Sequence, residues 1–561
     1  MNTLKKISLV LILVLFIPML SCLDLEEMNV DPNNPENVSS NFILTYLLVD
    51  IGKTFTNLGF YDSREITGLL QYMQCGTNES AWEVNLYDWS KGSWSGYYSY
   101  LRNINIIYKN AQADGNKFFE AIALTLKAQI FGLITDLFGD APYSESLQAS
   151  EELYFPKYDE QKYIYQGVLQ DLKKADELLS SSDISKFTIS ASADVVYGGN
   201  SAKWLKLVNS LRLRYCMRVY DKKTDMSDLG IDIVSEFNNA APKAFTGNSD
   251  DAIISYLGTN ADNAAPGGPL SYKKPAFNQK PCATIVNKLK SLNDPRLYRW
   301  VNPVQIKWDY NVTVPTEKKI TNMFGDNYTV TYRPTTRTDV DTALYAGMPA
   351  GLEIINLATY NYGENTTVYE SEKDPFVSVI HDRYRADKDT YRRIEIMMYP
   401  EVEFLLAEAV LKGGFSVSGT AEEHYKKAIQ ASFSRWGITD GKNGFNFNNY
   451  YSNSAVSYAS ATNKLERIME QKWIAGWLTI EPWFDWRRTG YPLLKAGPAA
   501  MFGAGIPLRY AYPTPNQDEK YLVNYNAAVD RLEATIYVPS GQSKDHILSK
   551  MWVIQGTGKP F

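Results

Sequence analysis

Residues 117–142 read KFFEAIALTLKAQIFGLITDLFGDAP. Phe118, Ile122, Leu126, Ile130, Leu133 and Leu137 recur at three- and four-residue steps, the period at which side chains return to one face of an α-helix. Gly139 and Pro142 close the stretch: glycine readily takes the backbone conformation that ends a helix, and proline cannot continue one. Immediately upstream, Trp94, Tyr97, Leu101, Ile104 and Tyr108 keep the same period, and Asp114-Gly115 breaks the two segments apart. The spacing predicts two helices folded back on one another.

The pattern repeats outward from this hairpin. Tyr158, Tyr165, Leu169, Leu172 and Leu179 predict a helix over 158–180, and Trp204, Leu207, Leu211, Tyr215 and Val219 one over 201–220, with Ser201 as its cap. Far along the chain, 400–412 and 420–436 form another pair divided by Gly413-Gly414, with Thr420 placed to cap the second. A last helix is expected over 462–477. Helix pairs of roughly 34 residues have the tetratricopeptide size, and such pairs hide their apolar faces by stacking. The expected fold is all-α dominated, a scaffold of TPR-like hairpins over 41–221 and 396–480. Between the blocks, 222–395 is crowded with turn signals such as Pro266-Gly267-Gly268-Pro269, with short β-rich runs at Tyr310–Val314 and Tyr328–Tyr332. Residues 490–561 are also loop-rich, so 41–561 reads as one body with a long insertion and few short strands.

The whole chain has 561 residues, 45% hydrophobic and 21% charged, enough to bury a sizeable core. Net charge is −6, which argues against a nucleic-acid binder. Three histidines, His381, His424 and His546, are scattered, and no zinc-protease, P-loop or Gly-x-Ser-x-Gly pattern occurs. Neither a cofactor nor a metal site is expected; Asp136 and Asp140, which flank Gly139, suit turn formation better than an ion. Carboxylates are plentiful, but nothing places two at the separation that glycoside hydrolysis requires.

Residues 1–21 read as a secretory leader: a basic start, then Ile7–Leu20, almost wholly apolar and shorter than the ~20 residues that span a bilayer. Cys22 follows directly, as in a bacterial lipoprotein cleaved there and acylated on its thiol; ordinary cleavage with a spare thiol is the other reading. Residues 22–40, acidic and rich in Pro and Asn, suit a tether. Cys75, Cys216 and Cys282 are odd in number and read as buried free thiols.

Two sets of aromatic residues are candidates for ligand contact. Trp82, Asn85, Tyr87 and Trp89 lie in a loop where rings alternate with short polar residues. The insertion adds Trp300, Trp308, Tyr310, Tyr360 and Tyr362, with Tyr345 between them. A sugar offers an apolar C–H face and a hydroxyl rim, so a ring beside Asn, Asp or Arg meets both. Packing of the same rings into the helical scaffold is the competing reading; Trp94, on a helical stripe, is expected to pack.

Motifs in order carry a family resemblance. They are Asn29–Pro35 after Cys22; Leu101-Arg102-Asn103-Ile104-Asn105; Thr135–Tyr143; Phe155–Asp159; Trp204 with Ser210–Arg214; Asn293-Asp294-Pro295-Arg296; Glu401-Val402 through Ala407-Glu408-Ala409; Gln471–Ala475; and Glu481–Pro492. Together the chain resembles the SusD/RagB-like lipoproteins of Bacteroidetes, in the branch ending Arg487-Arg488-Thr489-Gly490-Tyr491-Pro492. The resemblance implies about four TPR-like units in a right-handed scaffold and a loop-rich second face. It implies a lipid-anchored outer-membrane protein facing the cell exterior. Such a protein captures oligosaccharide and passes it to a SusC-like TonB-dependent transporter. Some relatives handle peptides, and the family points away from catalysis, a surface glycosidase being the least favoured reading. The Glu481–Pro492 motif reads as structural, with Arg487 or Arg488 paired to Asp485 or Glu481.

Overall fold

The computed structural model describes residues 38–61, 64–75, 83–89, 92–271, 279–357, 359–362, 374–515 and 518–561. The leader 1–21, Cys22, Trp82 and all but the last three residues of the tether 22–40 lie outside the described residues.

The longer helices are α1 (Ser40–Thr56), α2 (Ser95–Ala113), α3 (Lys117–Phe138), α4 (Gln161–Leu179), α5 (Ser201–Arg218), α6 (Ile233–Ala240), α7 (Ala283–Leu292), α8 (Tyr399–Lys412), α9 (Ala421–Arg435), α10 (Lys464–Ala475), α11 (Glu481–Thr489) and α12 (Glu519–Asp530). The chain is helix-rich with few short strands, as the periodicity predicts. Successive helices pack as neighbours from α2 to α6, and α8 packs on both α9 and α10. Contact between α5 and α8 joins the two blocks across the long insertion.

Helix α3 is the centre of the scaffold. Apart from Lys117, Glu120 and Lys127, its residues are buried, because helices cover it on several sides. It is long and apolar enough to cross a membrane by composition, but that apolar surface faces protein. The Asn116 side chain accepts the N–H groups of Phe118 (3.2 Å) and Phe119 (3.1 Å), which fixes its start. Midway, Gly132 faces the Tyr215 ring of α5 so closely that a Cβ would collide with it. The expected capping box of α9 is present: Thr420 accepts from Glu423 N–H while the Glu423 carboxylate accepts from Thr420 N–H. At α5 the cap is one residue earlier than expected. Asn200, not Ser201, accepts the Lys203 N–H at 3.1 Å.

The strands longer than two residues are β1 (Met73–Cys75), β2 (Ala252–Ser255), β3 (Gln279–Pro281), β4 (Ile306–Asp309), β5 (Thr316–Thr321), β6 (Asn327–Pro334) and β7 (Arg393–Met397). β1 pairs with β3 and β2 with β7, both antiparallel. β6 sits between β4, to which it is parallel, and β5, to which it is antiparallel, leaving β5 as an edge. The expected run Tyr328–Tyr332 lies in β6. The run Tyr310–Val314 is instead the connection from β4 to β5. The Asp309 carboxylate accepts the Asn311 N–H at 2.8 Å there and turns the chain out of the strand.

A buried network of charges stitches α3, α5, α8, α10 and α11. Arg218 binds Asp136 at 2.5 Å and also Glu481; Arg214 binds Glu401 at 2.7 Å. Arg488 holds Glu408 (2.5 Å) and Asp485 (2.7 Å), and Lys472 also reaches Asp485 at 2.8 Å. Of the expected pairings, Arg488 with Asp485 forms, while Arg487 donates to the backbone carbonyls of Asp136 (2.6 Å) and Leu508 (2.8 Å). The Glu481–Pro492 segment is therefore a clamp between helices. Asp140 does act at a turn, accepting the Gln161 N–H at 2.8 Å and pairing with Arg531. Cys216 and Cys282 are free thiols, and they and Cys75 are buried.

Candidate functional site

Most of the candidate rings are inside the protein. Asn85 is buried, accepting the Cys75 N–H and donating to the Leu352 carbonyl, both at 3.0 Å. Tyr87 is buried with φ +52°, its hydroxyl accepting from Gln71. Trp89 donates to the Arg509 carbonyl at 3.1 Å and stacks on Tyr510. Trp300 is 0% exposed and stacks on Trp477 at 4.9 Å and 3°. Trp308 donates to the Asn361 carbonyl at 2.7 Å and stacks on Phe376. These five candidates are enclosed rather than presented to solvent: Asn85 reaches across to the insertion at Leu352, Trp89 is covered by Trp483 and the Arg509–Tyr510 segment, and Trp300 and Trp308 of the insertion pack on Trp477 and Phe376. Trp94 packs on Phe138, as its stripe predicts. Tyr310 is 54% exposed, with its hydroxyl on the Arg337 carbonyl. Tyr360 and Tyr362 are half-buried, packed on two small clusters around Met348 and Phe376.

The most spacious opening among the described pockets is a cleft of about 780 Å³ between the insertion and the loop after α9. None of the eight described candidates lines it, although Tyr345 does. Its floor comes from the end of α7. There Asn293 adopts the left-handed conformation (φ +53°), and the Asp294 N–H reaches back to the Leu289 carbonyl at 2.8 Å. The motif Asn293-Asp294-Pro295-Arg296 thus ends the helix and sends the chain along the cleft. Asp294 is fixed by the Arg296 guanidinium (2.6 and 2.9 Å) and the Tyr450 hydroxyl (2.8 Å). On the opposite side, Asn446 caps a short helix, Phe447–Tyr451, by accepting the Asn449 N–H at 2.9 Å.

The lining has the two textures a polyhydroxylated ligand needs. Leu289, Leu292, Leu297 and the edge-to-face pair Tyr298–Tyr345 (centroids 5.5 Å apart) supply apolar wall. Burial pushes the Tyr345 hydroxyl far above its ordinary pKa, so it stays protonated and able to donate. Around the rim, the side-chain amides of Asn293 and Asn449 and the side-chain NH2 groups of Asn446 and Asn453 have no hydrogen-bond partner among the described residues. The Tyr298 hydroxyl is likewise unpartnered there. Among the described residues, Lys290 and Asp294 are the charged ones in the lining, and both are occupied, Lys290 by Asn287 and the Tyr345 carbonyl. Such a surface can stack on and hydrogen-bond to a neutral ligand, and it offers no free acid–base pair. The signal that sequence reading passed over is the density of amides and rings in Phe445–Asn453. Among the described residues no group of His, Cys, Asp and Glu could hold a metal ion.

Solved structures share this fold. A SusD homolog from Bacteroides fragilis NCTC 9343 superimposes with a TM-score of 0.71 at 22% identity, covering 92% of this chain and 100% of that one. A second SusD homolog from the same organism gives 0.65 at 24%, covering 92% and 99%. A chitin-binding protein gives 0.64 at 22%, covering 90% and 99%. Comparison with curated proteins returns no match. A SusD-like family profile, described as starch-binding and associating with the outer membrane, matches residues 32–513. With that match over most of its length, the chain belongs to the SusD-like family of outer-membrane-associated binding proteins.

Proposed function

We propose that the protein captures oligosaccharide at the outer surface of the cell and hands it to a SusC-like TonB-dependent transporter. In this reading residues 1–21 are removed, Cys22 carries the lipid, and 22–40 tether the body to the outer membrane. The observation that carries the ligand assignment is the neutral cleft, with tyrosine and leucine walls beneath a rim of unpaired amides. Sugar rings match it: an apolar face for the wall and hydroxyls for the amides. Tyr310, Tyr360 and Tyr362, partly accessible though outside the cleft lining, are further candidate contacts for a longer chain. One structural neighbour is a chitin-binding protein, which is in keeping with a glycan ligand. In this reading the role is binding without turnover; Asp294, the carboxylate in the cleft lining among the described residues, is held by Arg296.

Calorimetry with neutral oligosaccharides, set against a peptide panel, tests the ligand. Saturable glycan binding that Tyr298→Ala weakens supports it. Binding of peptides alone overturns the glycan assignment and leaves capture standing. Glycan turnover by the purified protein contradicts a purely binding role. The partner is tested by gentle solubilisation of native membranes: a β-barrel transporter should co-purify, and isolation as a free monomer counts against the pairing.

A further inference from the structure

A second cavity, of about 120 Å³, lies apart from the cleft, where the end of α1, strand β7, the start of α8 and the chain after α10 meet. It is partly open to solvent. Cavities of roughly 150 Å³ admit one benzene-sized ring. Phe55, Tyr384, Tyr391, Phe404, Trp436 and Trp477 make its walls aromatic.

The charges of this lining are mostly answered within the protein. Arg214 takes Glu401 (2.7 Å) and Glu481 (3.3 Å), Lys472 takes Asp485 (2.8 Å), and Arg435 contacts Glu395. Arg392 donates to the backbone carbonyls of Arg383, Ala386 and Pro266. Two donors are left over. Arg393, half-buried, gives its Nε–H to the Thr390 carbonyl at 2.9 Å, and no carboxylate pairs with its guanidinium among the described residues. Trp436 is 2% exposed, and its indole N–H has no acceptor among them. A buried N–H without an acceptor is uncommon in folded proteins and calls for a water or a ligand. With Arg393 counted, the lining holds more cationic than acidic side chains.

We propose that this cavity is a second ligand site for a small carboxylate carried on a single flat ring. The carboxylate answers the Arg393 guanidinium and the Trp436 N–H, and the ring fills the aromatic interior. Charge-assisted hydrogen bonds to a guanidinium are among the strongest available to a small anion, and a planar body fits walls built of rings.

The test uses the full chain, with calorimetry and tryptophan fluorescence. Benzoate and phenylacetate are compared with benzamide and benzyl alcohol, neutral molecules of similar shape. The carboxylates are expected to bind one per chain and to quench fluorescence. Arg393→Gln should weaken them about tenfold, the scale of one lost charge-assisted contact, and the neutral molecules should bind weaker by a similar factor. Tyr298→Ala, in the cleft, should leave carboxylate binding unchanged, which separates this site from the glycan reading. Trp436→Phe keeps the ring and removes the donor; if it fails to fold, Arg393→Gln, a half-buried side chain with no ion pair to break among the described residues, decides alone. Equal binding of charged and neutral probes, indifference to Arg393→Gln, or no carboxylate binding by folded protein overturns the proposal.

Discussion

At the seam of α3, α5, α8, α10 and α11, charged side chains are buried and answer one another: Arg488 grips Glu408 and Asp485, and Arg218 grips Asp136 and Glu481. At the rim of the cleft, Asn293 and Asn449 are exposed and their amides face no protein partner among the described residues. Both regions are polar and both fall on family-like motifs or beside them. The seam uses polarity to lock helices at fixed angles, and removing one partner strands a charge away from water. The rim keeps polarity available, and removing one group there changes only what a ligand meets.

The sharpest test of that contrast is Arg488→Ala. It leaves Glu408, which is 0% exposed, without its main partner, and stability should fall by about 3–5 kcal/mol. Chemical denaturation reads the loss directly; a change below about 1 kcal/mol would mean that the seam is ordinary surface pairing. The same seam predicts an acid-side weakness. Burial alone would raise the Asp485 carboxyl, but Lys472 and then Arg488 hold it well below the usual carboxylate range. A carboxyl depressed in the folded state stabilises at pH above its unfolded pKa, near 4, and that contribution is lost progressively as the pH falls from there. Thermal melts from pH 7 downward should show the decline, and Lys472→Met should flatten it.

At the rim the expectations reverse. Tyr298→Ala should weaken oligosaccharide binding about tenfold, roughly 1.4 kcal/mol, with little effect on the melting temperature. A large drop in stability with unchanged affinity would place Tyr298 with the seam instead. Smallest is Thr420→Ala, which removes the capping box of α9 and touches neither the buried charges nor the cleft lining; about 1 kcal/mol of stability should go and ligand affinity should stay constant.

The helices were legible because burial on one face leaves a period in the sequence, as along Lys117–Phe138. Helix α12 was not, since Ala528 is its only buried residue and no stripe forms. Ring positions on irregular chain carry no such period. Trp300 and Tyr310 look alike in sequence, yet one is sealed against Trp477 and the other stands 54% exposed. Which way each faces is decided by how the insertion folds onto the scaffold, a contact between residues far apart in the chain. The cleft escaped for the same reason: its two walls, at Asn293 and Asn449, are separated by most of the insertion and by α8 and α9.

Strand β5 offers an open row of backbone donors and acceptors along one side, a template on which another polypeptide could add itself. Its exposed residues include Glu317, Lys318 and Lys319. Charged side chains, lysine above all, are one means by which a strand edge discourages such pairing, and this six-residue ribbon carries three charges in a row.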